Sequence, residues 1–367
     1  MFKRIYIFYL IYLAVMVYSQ TLLMLWFQTK GVSYLEMLFY FLVMYVATVA
    51  LFFVFSGIKF TSKQALFLGI FSSACAIFFA NILSHTYQIY IIATLFAINI
   101  IFFWTIYNTL YFKYSSTDEN GLKSGMYFLF SPIFSAILVP LSGLIVERFG
   151  YHALFISSIC LYVFPLIFIF KLPNFEFKFH AWSAAKNLEH KVLVLMQGYV
   201  FMLSFNIIPM FTLFYINTPS KLGNFFGFLA ILSAVTALVN ARLSDRLKKR
   251  AFFFYTFNIL NSISYVPLAL ASSLTSWSVF ASISNLTYGL SNPFNFALTL
   301  DHKKQELVDT MLGRELYLNA GRALMVLVAL VVFYFTQSLQ KALLVGVLVS
   351  FAYPIIAWRQ KVYLTRS

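Results

Sequence analysis

The sequence predicts an all-α membrane protein with twelve transmembrane helices in two pseudo-symmetric six-helix bundles. Three observations carry that prediction. Hydrophobic residues make up 62% of the chain and charged residues 10%, the composition of a polytopic helical membrane protein. Apolar blocks of about 16 to 25 residues recur, the length that crosses ~30 Å of hydrocarbon, whereas a transmembrane barrel would show ~10-residue alternating strands. Basic residues, finally, are concentrated in every second loop.

The spans are read at residues 5–27, 34–55, 64–83, 89–112, 127–146 and 153–170, then 192–216, 225–239, 252–270, 279–300, 316–335 and 343–358. Lys3 and Arg4 precede the first, as in a signal peptide, but the apolar run continues to Phe27 with no small-residue cleavage site behind it, which marks a span. Most connections are short. The exception, residues 172–191, carries Pro173, charges and aromatics, and reads as a partly helical linker along the membrane surface rather than a folded domain. It separates a first bundle, 1–171, from a second, 192–367. Cys75 and Cys160 fall inside spans without Cys-x-x-Cys spacing, so they read as small apolar residues with no redox or metal role.

The net charge of +15 is explained by location. Counting even-numbered loops and both tails as one side gives 21 Lys and Arg against 4 on the other (Lys30, Arg148, Lys221 and Lys341). This positive-inside pattern places both termini in the cytoplasm of a multi-pass cell-membrane protein and supports an even span count. The charge is therefore topogenic, and no nucleic-acid partner is expected.

The halves echo each other. Span four ends in Trp104, Tyr107, Asn108 and Tyr111 before a charged loop and Gly125; span ten ends in Asn292, Asn295 and Asp301 before a charged loop and Gly313. After span eight comes Ala241-Arg-Leu-Ser-Asp245-Arg246-Leu-Lys-Lys249-Arg250. This resembles the Gly-x-Leu-Ala-Asp-Arg-x-Gly-Arg-Lys/Arg motif of the major facilitator superfamily. The end of span five, Pro140-Leu-Ser-Gly143 through Arg148-Phe-Gly150, is similar to the Pro/Gly-rich ending of that span in the superfamily. The resemblance covers essentially the whole chain. It implies transport of a small solute by alternating access, a midplane site lined by spans one, four, seven and ten, and a latch role for Asp245 and Arg246, whose carboxylate would brace a helix amino terminus. Ala241 and Lys248 depart from the motif's glycines, and the matching first-half loop, Ser56 to Lys63, lacks its aspartate and arginine.

Polar residues within spans point to candidate solute contacts. At 100° per residue, Asn285, Tyr288, Asn292 and Asn295 of span ten lie within about 80° of one another, and Trp104, Tyr107, Asn108 and Tyr111 of span four within about 100°. Gln197, Ser204, Thr212 and Tyr215 share a face of span seven. The alternative for each stripe is interhelical hydrogen bonding.

Arg322 sits deep in span eleven, where an unpaired guanidinium costs at least ~2.5 kcal/mol. Glu315, Asn319 and Arg322 share one narrow face, with Glu315 and Arg322 about 10 Å apart by helical rise, too far to pair. Arg322 either anchors spans or presents charge to a solute. Glu36, Glu147 and Glu315 lie toward span ends and the histidines fall in loops or at span ends, so proton coupling is not visible and a coupling ion stays open.

A membrane enzyme acting on lipid-linked substrates would need a nucleophile, metal ligands or paired carboxylates at a membrane face. No His-Glu-x-x-His, His-x-x-x-x-Asp, Gly-x-Ser-x-Gly or phosphate-cradling glycine loop occurs. A receptor or scaffold role has no sequence discriminator. The expectation is a transporter, functional as a monomer and without cofactor, for a small anionic, zwitterionic or amphipathic solute.

Overall fold

Within hydrocarbon every backbone N–H and C=O must be satisfied by the chain itself, and this chain meets that demand with helices. The computed structural model describes the backbone of residues 1–114, 120–247, 250–300 and 307–362, and the side chains of these except 120–129, 237–247, 250, 293 and 296–300. Span one is α1 (Phe2–Gln20) continued by α2 (Leu23–Thr29); spans two and three are α3 (Tyr34–Val54) and α4 (Ser62–Asn81). Span four is α5 (Gln88–Asn99), a π-helical turn (Ile100–Trp104) and α6 (Thr105–Tyr114). Spans five and six form one element, α7 (Asn120–Phe168), and the linker holds α8 (Ala181–Asn187). Span seven repeats the design of span four: α9 (Lys191–Met202), a π-helical turn (Leu203–Ile207) and α10 (Ile208–Thr212). Spans eight to eleven are α11 (Pro219–Leu247), α12 (Arg250–Ala269), α13 (Leu274–Leu300) and α14 (Leu307–Thr336); span twelve is α15 (Leu339–Ser350) with α16 (Ala352–Arg359).

Two expected boundaries move. Spans five and six have no loop between them: the helix turns at Gly150, whose φ of 81° and ψ of 168° suit a residue without Cβ. Span eleven starts at Leu307 rather than 316, which places Arg314 inside the bundle instead of in a charged loop. Among the described residues, eight stretches are long and apolar enough to cross a membrane, and one of them, Phe130–Lys171, contains two spans. α11, α12 and α13, richer in Ser, Thr and Asn, complete the twelve.

Local chemistry fixes the helix starts. Ser33 and Glu36 form a capping box at α3, the Ser33 N–H donating to Glu36 Oε2 at 2.7 Å, so this carboxylate is occupied in a cap. Thr61 and Gln64 do the same for α4. Between α3 and α4, β1 (Lys59–Thr61) pairs antiparallel with β2 (Glu176–Lys178) of the linker, Phe60 opposite Phe177. Both rings turn inward against Phe179, and Phe60 also meets Phe102.

The bundles meet along α7 and α11, and along α14 against α3 and α6. The Pro/Gly ending of span five is where backbones approach: a Cβ on Gly143 would strike the Pro219 carbonyl and one on Gly223 the Val139 carbonyl. Inside the second bundle, α14 lies as close to α9, with Gly198 facing the Leu318 carbonyl and Gly321 the Leu195 carbonyl. Small residues permit such contacts, which in lipid supply much of the packing energy. Gly198→Val should therefore separate α9 from α14 at a cost of about 1–3 kcal/mol or more. Its apparent Tm should fall well below the parent's, while Gly31→Ala, at a site with open space but a φ of 78°, should show a smaller, strain-limited loss.

Candidate functional site

The spans enclose a cavity of about 240 Å³ that draws on both bundles. The first bundle contributes Thr21 of span one with Ser131, Pro132 and Ser135 of α7; the second contributes α13, span seven, α11 and Tyr265 of α12. Its lining includes Ser204, Ser233, Ser284, Asn285, Tyr288 and Asn292 and the rings of Phe205 and Phe226, and among the described residues no Asp, Glu, Lys, Arg or His. The π-helical turn of span seven carries Ser204 and Phe205 to this surface. Such turns recur at functional sites because the extra residue re-aims the side chains.

The span-ten stripe divides. Asn285, Tyr288 and Asn292 line the cavity. Asn285 accepts a hydrogen bond from Ser233 Oγ, and Tyr288 packs edge-on against Phe205 at 5.0 Å. Asn295 instead points into helix packing: its amide exchanges hydrogen bonds of 2.9 and 3.0 Å with Asn258 and accepts another from Tyr353. One turn of helix separates a cavity residue from an interhelical clasp.

The span-four stripe lies away from this cavity. Tyr107 is fully buried and stacks on Tyr9 of α1 at 4.5 Å, while Trp104 packs edge-on to Tyr9 and Tyr12. Asn108 crosses between bundles, its Nδ2 donating to Glu315 Oε1 at 3.4 Å. Gln197 is half-buried on α9 and does not line the cavity, unlike Ser204 and Thr212 of the same span.

Arg322 lies about 22 Å along α14 from its first residue, near mid-depth. Its Nη1 donates to Asn319 Oδ1 at 2.9 Å, and Asn319, fully buried, donates to the Glu315 carbonyl at 2.7 Å. The guanidinium sits 4.4 Å from the Phe201 ring centre and 5.6 Å from that of Tyr45 on α3. Asn206 donates to the Tyr45 hydroxyl at 3.2 Å. Arg322 Nε is buried without a partner. Phe201 packs on Phe205 at 4.5 Å, so two phenyl rings stand between this charge and the neutral cavity.

Arg314 and Glu315 form a buried ion pair of 2.8 Å, with side chains 6% and 5% exposed. This pair was hidden in the sequence because Arg314 reads as one more topogenic charge. Also unflagged were Ser131 and Ser135, which the i, i+4 spacing on one face of span five could have signalled, and Ser233 of α11. The bundles touch on both sides of the cavity: Glu315 with Asn108 on the side carrying the termini, and Tyr34 stacked on Phe214 at 4.2 Å on the other. Asp245 and Arg246, the latch pair implied by the resemblance, fall at the end of α11, where side chains lie outside the described residues. Among the described residues, no three His, Cys, Asp or Glu come together in a way that would hold a metal.

Comparison with solved structures places the fold. The human organic anion transporter MFSD10 (TETRAN) superposes with a TM-score of 0.69 at 10% identity, over 97% of this chain and 99% of that one. The E. coli fucose:proton symporter FucP gives 0.67 at 13%, over 97% of each. A bacterial homologue of the iron transporter ferroportin, in an outward-facing state, gives 0.68 at 12%, over 96% of this chain and 98% of that one. At such identities the likeness shows the fold alone. No curated protein sequence matches significantly. The Major Facilitator Superfamily profile, by contrast, matches residues 5–314, and the structural likeness extends that architecture through the last two spans. The chain belongs to the Major Facilitator Superfamily and is a membrane solute transporter.

Proposed function

We propose that the protein carries a small, uncharged, amphipathic solute by alternating access, bound by Asn285, Tyr288 and Asn292 with the serines of α7 opposite them. The uncharged lining of the cavity carries this reading. A charged solute held there would be desolvated without a counter-charge, whereas hydroxyl and amide groups on a neutral solute pair with the serine and asparagine side chains. Ring faces of Phe205, Phe226 and Tyr265 take its apolar surface. A solute that touches both bundles can favour one arrangement of them over another, which alternating access requires. Residues 1–171 and 192–367 are the rocking bodies, 172–191 the connector, and both termini are cytoplasmic.

Arg322 supports this reading as an anchor that holds Phe201 of its own bundle and reaches Tyr45 of the other. A second reading, in which it contacts an anionic group on the solute, is favoured by the unpartnered Nε. The two separate in one experiment. As an anchor, Arg322→Lys and Arg322→Gln both lower the apparent Tm of the solute-free protein, by an amount reflecting about 0.5–2 kcal/mol for each ring contact. As a solute contact, both leave that Tm unchanged and weaken solute binding, Arg322→Gln more than Arg322→Lys.

The cavity assignment is tested in a background lacking Cys75 and Cys160. Cysteines at 285 and 292 should react with a water-soluble thiol reagent and be protected by solute, while one at 295 stays inert. A thermal-shift screen should give its largest stabilisation with neutral polar solutes, because a ligand that binds the folded state raises apparent stability. Stabilisation confined to anions would overturn the neutral-solute reading.

For the latch, Asp245→Asn should reduce transport with little change in apparent Tm and should shift the relative labelling of cysteines accessible from each side. Unchanged labelling on both sides would remove Asp245 from the cycle.

A further inference from the structure

A second concavity, of about 470 Å³, opens on the terminus side between the start of α4 and the end of span six. Lys59, Lys63, Phe67, Leu68 and Phe170 are among its walls. Those walls differ in chemistry. Toward the membrane, Phe67 and Phe71 of α4 are exposed and stacked at 5.8 Å, and Phe164, Ile167 and Phe170 of span six are exposed beside them. This apolar surface is continuous with the hydrocarbon-facing side of the bundle.

The rim toward water carries ammonium groups. Lys63 Nζ donates to the Phe170 carbonyl at 3.0 Å, which leaves two of its three N–H bonds for another acceptor. Lys59 stands directly opposite Lys178 in the β1–β2 register. Side chains opposite each other in an antiparallel pair share a face, so the ribbon holds two like charges together, an arrangement that is unfavourable by itself. Among the described residues no carboxylate comes within ion-pair distance of Lys59, Lys63 or Lys178. The nearest acid in sequence, Glu176, is exposed on the same strand, opposite Thr61.

The geometry points to a binding site for an anionic phospholipid, with its phosphate between Lys59 and Lys63, Lys178 behind them, and acyl chain along Phe67, Phe71 and Phe170. The headgroup charge relieves the Lys59–Lys178 repulsion and takes the free N–H bonds of Lys63. The apolar wall selects a lipid over a soluble phosphate, because only a lipid covers both surfaces at once. Basic side chains at a membrane surface favour anionic headgroups in this way; a choline headgroup brings its own cation to the lysines and loses the advantage. The site is built from the first bundle and the linker, so it stands independently of the solute proposed for the central cavity.

The test uses the full chain in nonionic detergent, titrated with dioleoyl phosphatidylglycerol, dioleoyl phosphatidylcholine or glycerol 3-phosphate and read by native mass spectrometry and apparent Tm. Phosphatidylglycerol should bind and raise Tm. Binding should weaken about fivefold in Lys59→Gln and about fivefold again in the Lys59→Gln/Lys63→Gln double variant. Lys59→Arg and the distant Lys186→Gln should bind like the parent. The lipid-free Tm of Lys59→Gln should equal or exceed the parent's, since a like-charge contact is gone, which distinguishes lost binding from lost folding. Equal binding of phosphatidylcholine, equal binding of glycerol 3-phosphate, or undiminished phosphatidylglycerol binding by the double variant would each overturn the proposal.

Discussion

A guanidinium at mid-depth in the bilayer is the constraint around which the centre of this protein is arranged. Arg322 cannot be left to lipid, and among the described residues no carboxylate pairs with it. The protein surrounds it with weaker partners: one amide oxygen on its own helix, the Phe201 ring of span seven and the Tyr45 ring of the opposite bundle. Each demands something further. Asn319 must be held, and donates to the Glu315 carbonyl. Phe201 must be backed, and packs on Phe205. Tyr45 must be oriented, and Asn206 does so. The charge thereby ties α3, α9 and α14 into one polar and aromatic knot.

The consequence for the cavity is separation. Phe205 belongs both to the aromatic screen around the charge and to the cavity wall, so the cavity and the charged knot are neighbours that share a ring. Were a solute bound in the cavity to shift Phe205, the packing of Phe201 would carry that shift toward Arg322. The neutral lining and the buried charge are two sides of one arrangement.

Much of this was legible in the sequence. Span number, the division into halves and the superfamily follow from block length, charge placement and the Asp245 motif, because a bilayer imposes length and polarity rules on every residue. Three residues of the span-ten stripe line the cavity. What the stripe could not tell was that Asn292 and Asn295, three residues apart, face different neighbours; that depends on where Asn258 of α12 stands. The tyrosines of span four carry a related ambiguity, since a wet cavity and the stacked ring of Tyr9 present the same amphipathic pattern to a helix. Arg314 was lost in a count of charges, and the connection read between spans five and six contracts to a turn at Gly150.

The linker has a mechanical meaning. First-bundle backbone grips it through Phe179, whose carbonyl accepts from Gly57 N–H at 2.7 Å and whose N–H donates to Ile58 at 3.2 Å. Second-bundle contacts begin almost at once: the Ala184 carbonyl lies against Gly313, and Ala185 accepts from the Tyr317 hydroxyl at 3.1 Å. Between the grip and α8 there is only His180. A connection that short stores little slack, and α8 itself touches both bundles, with Trp182 packed on Phe53 of α3. Were the bundles to separate on the terminus side, His180 is the residue at which this corner would come under tension first.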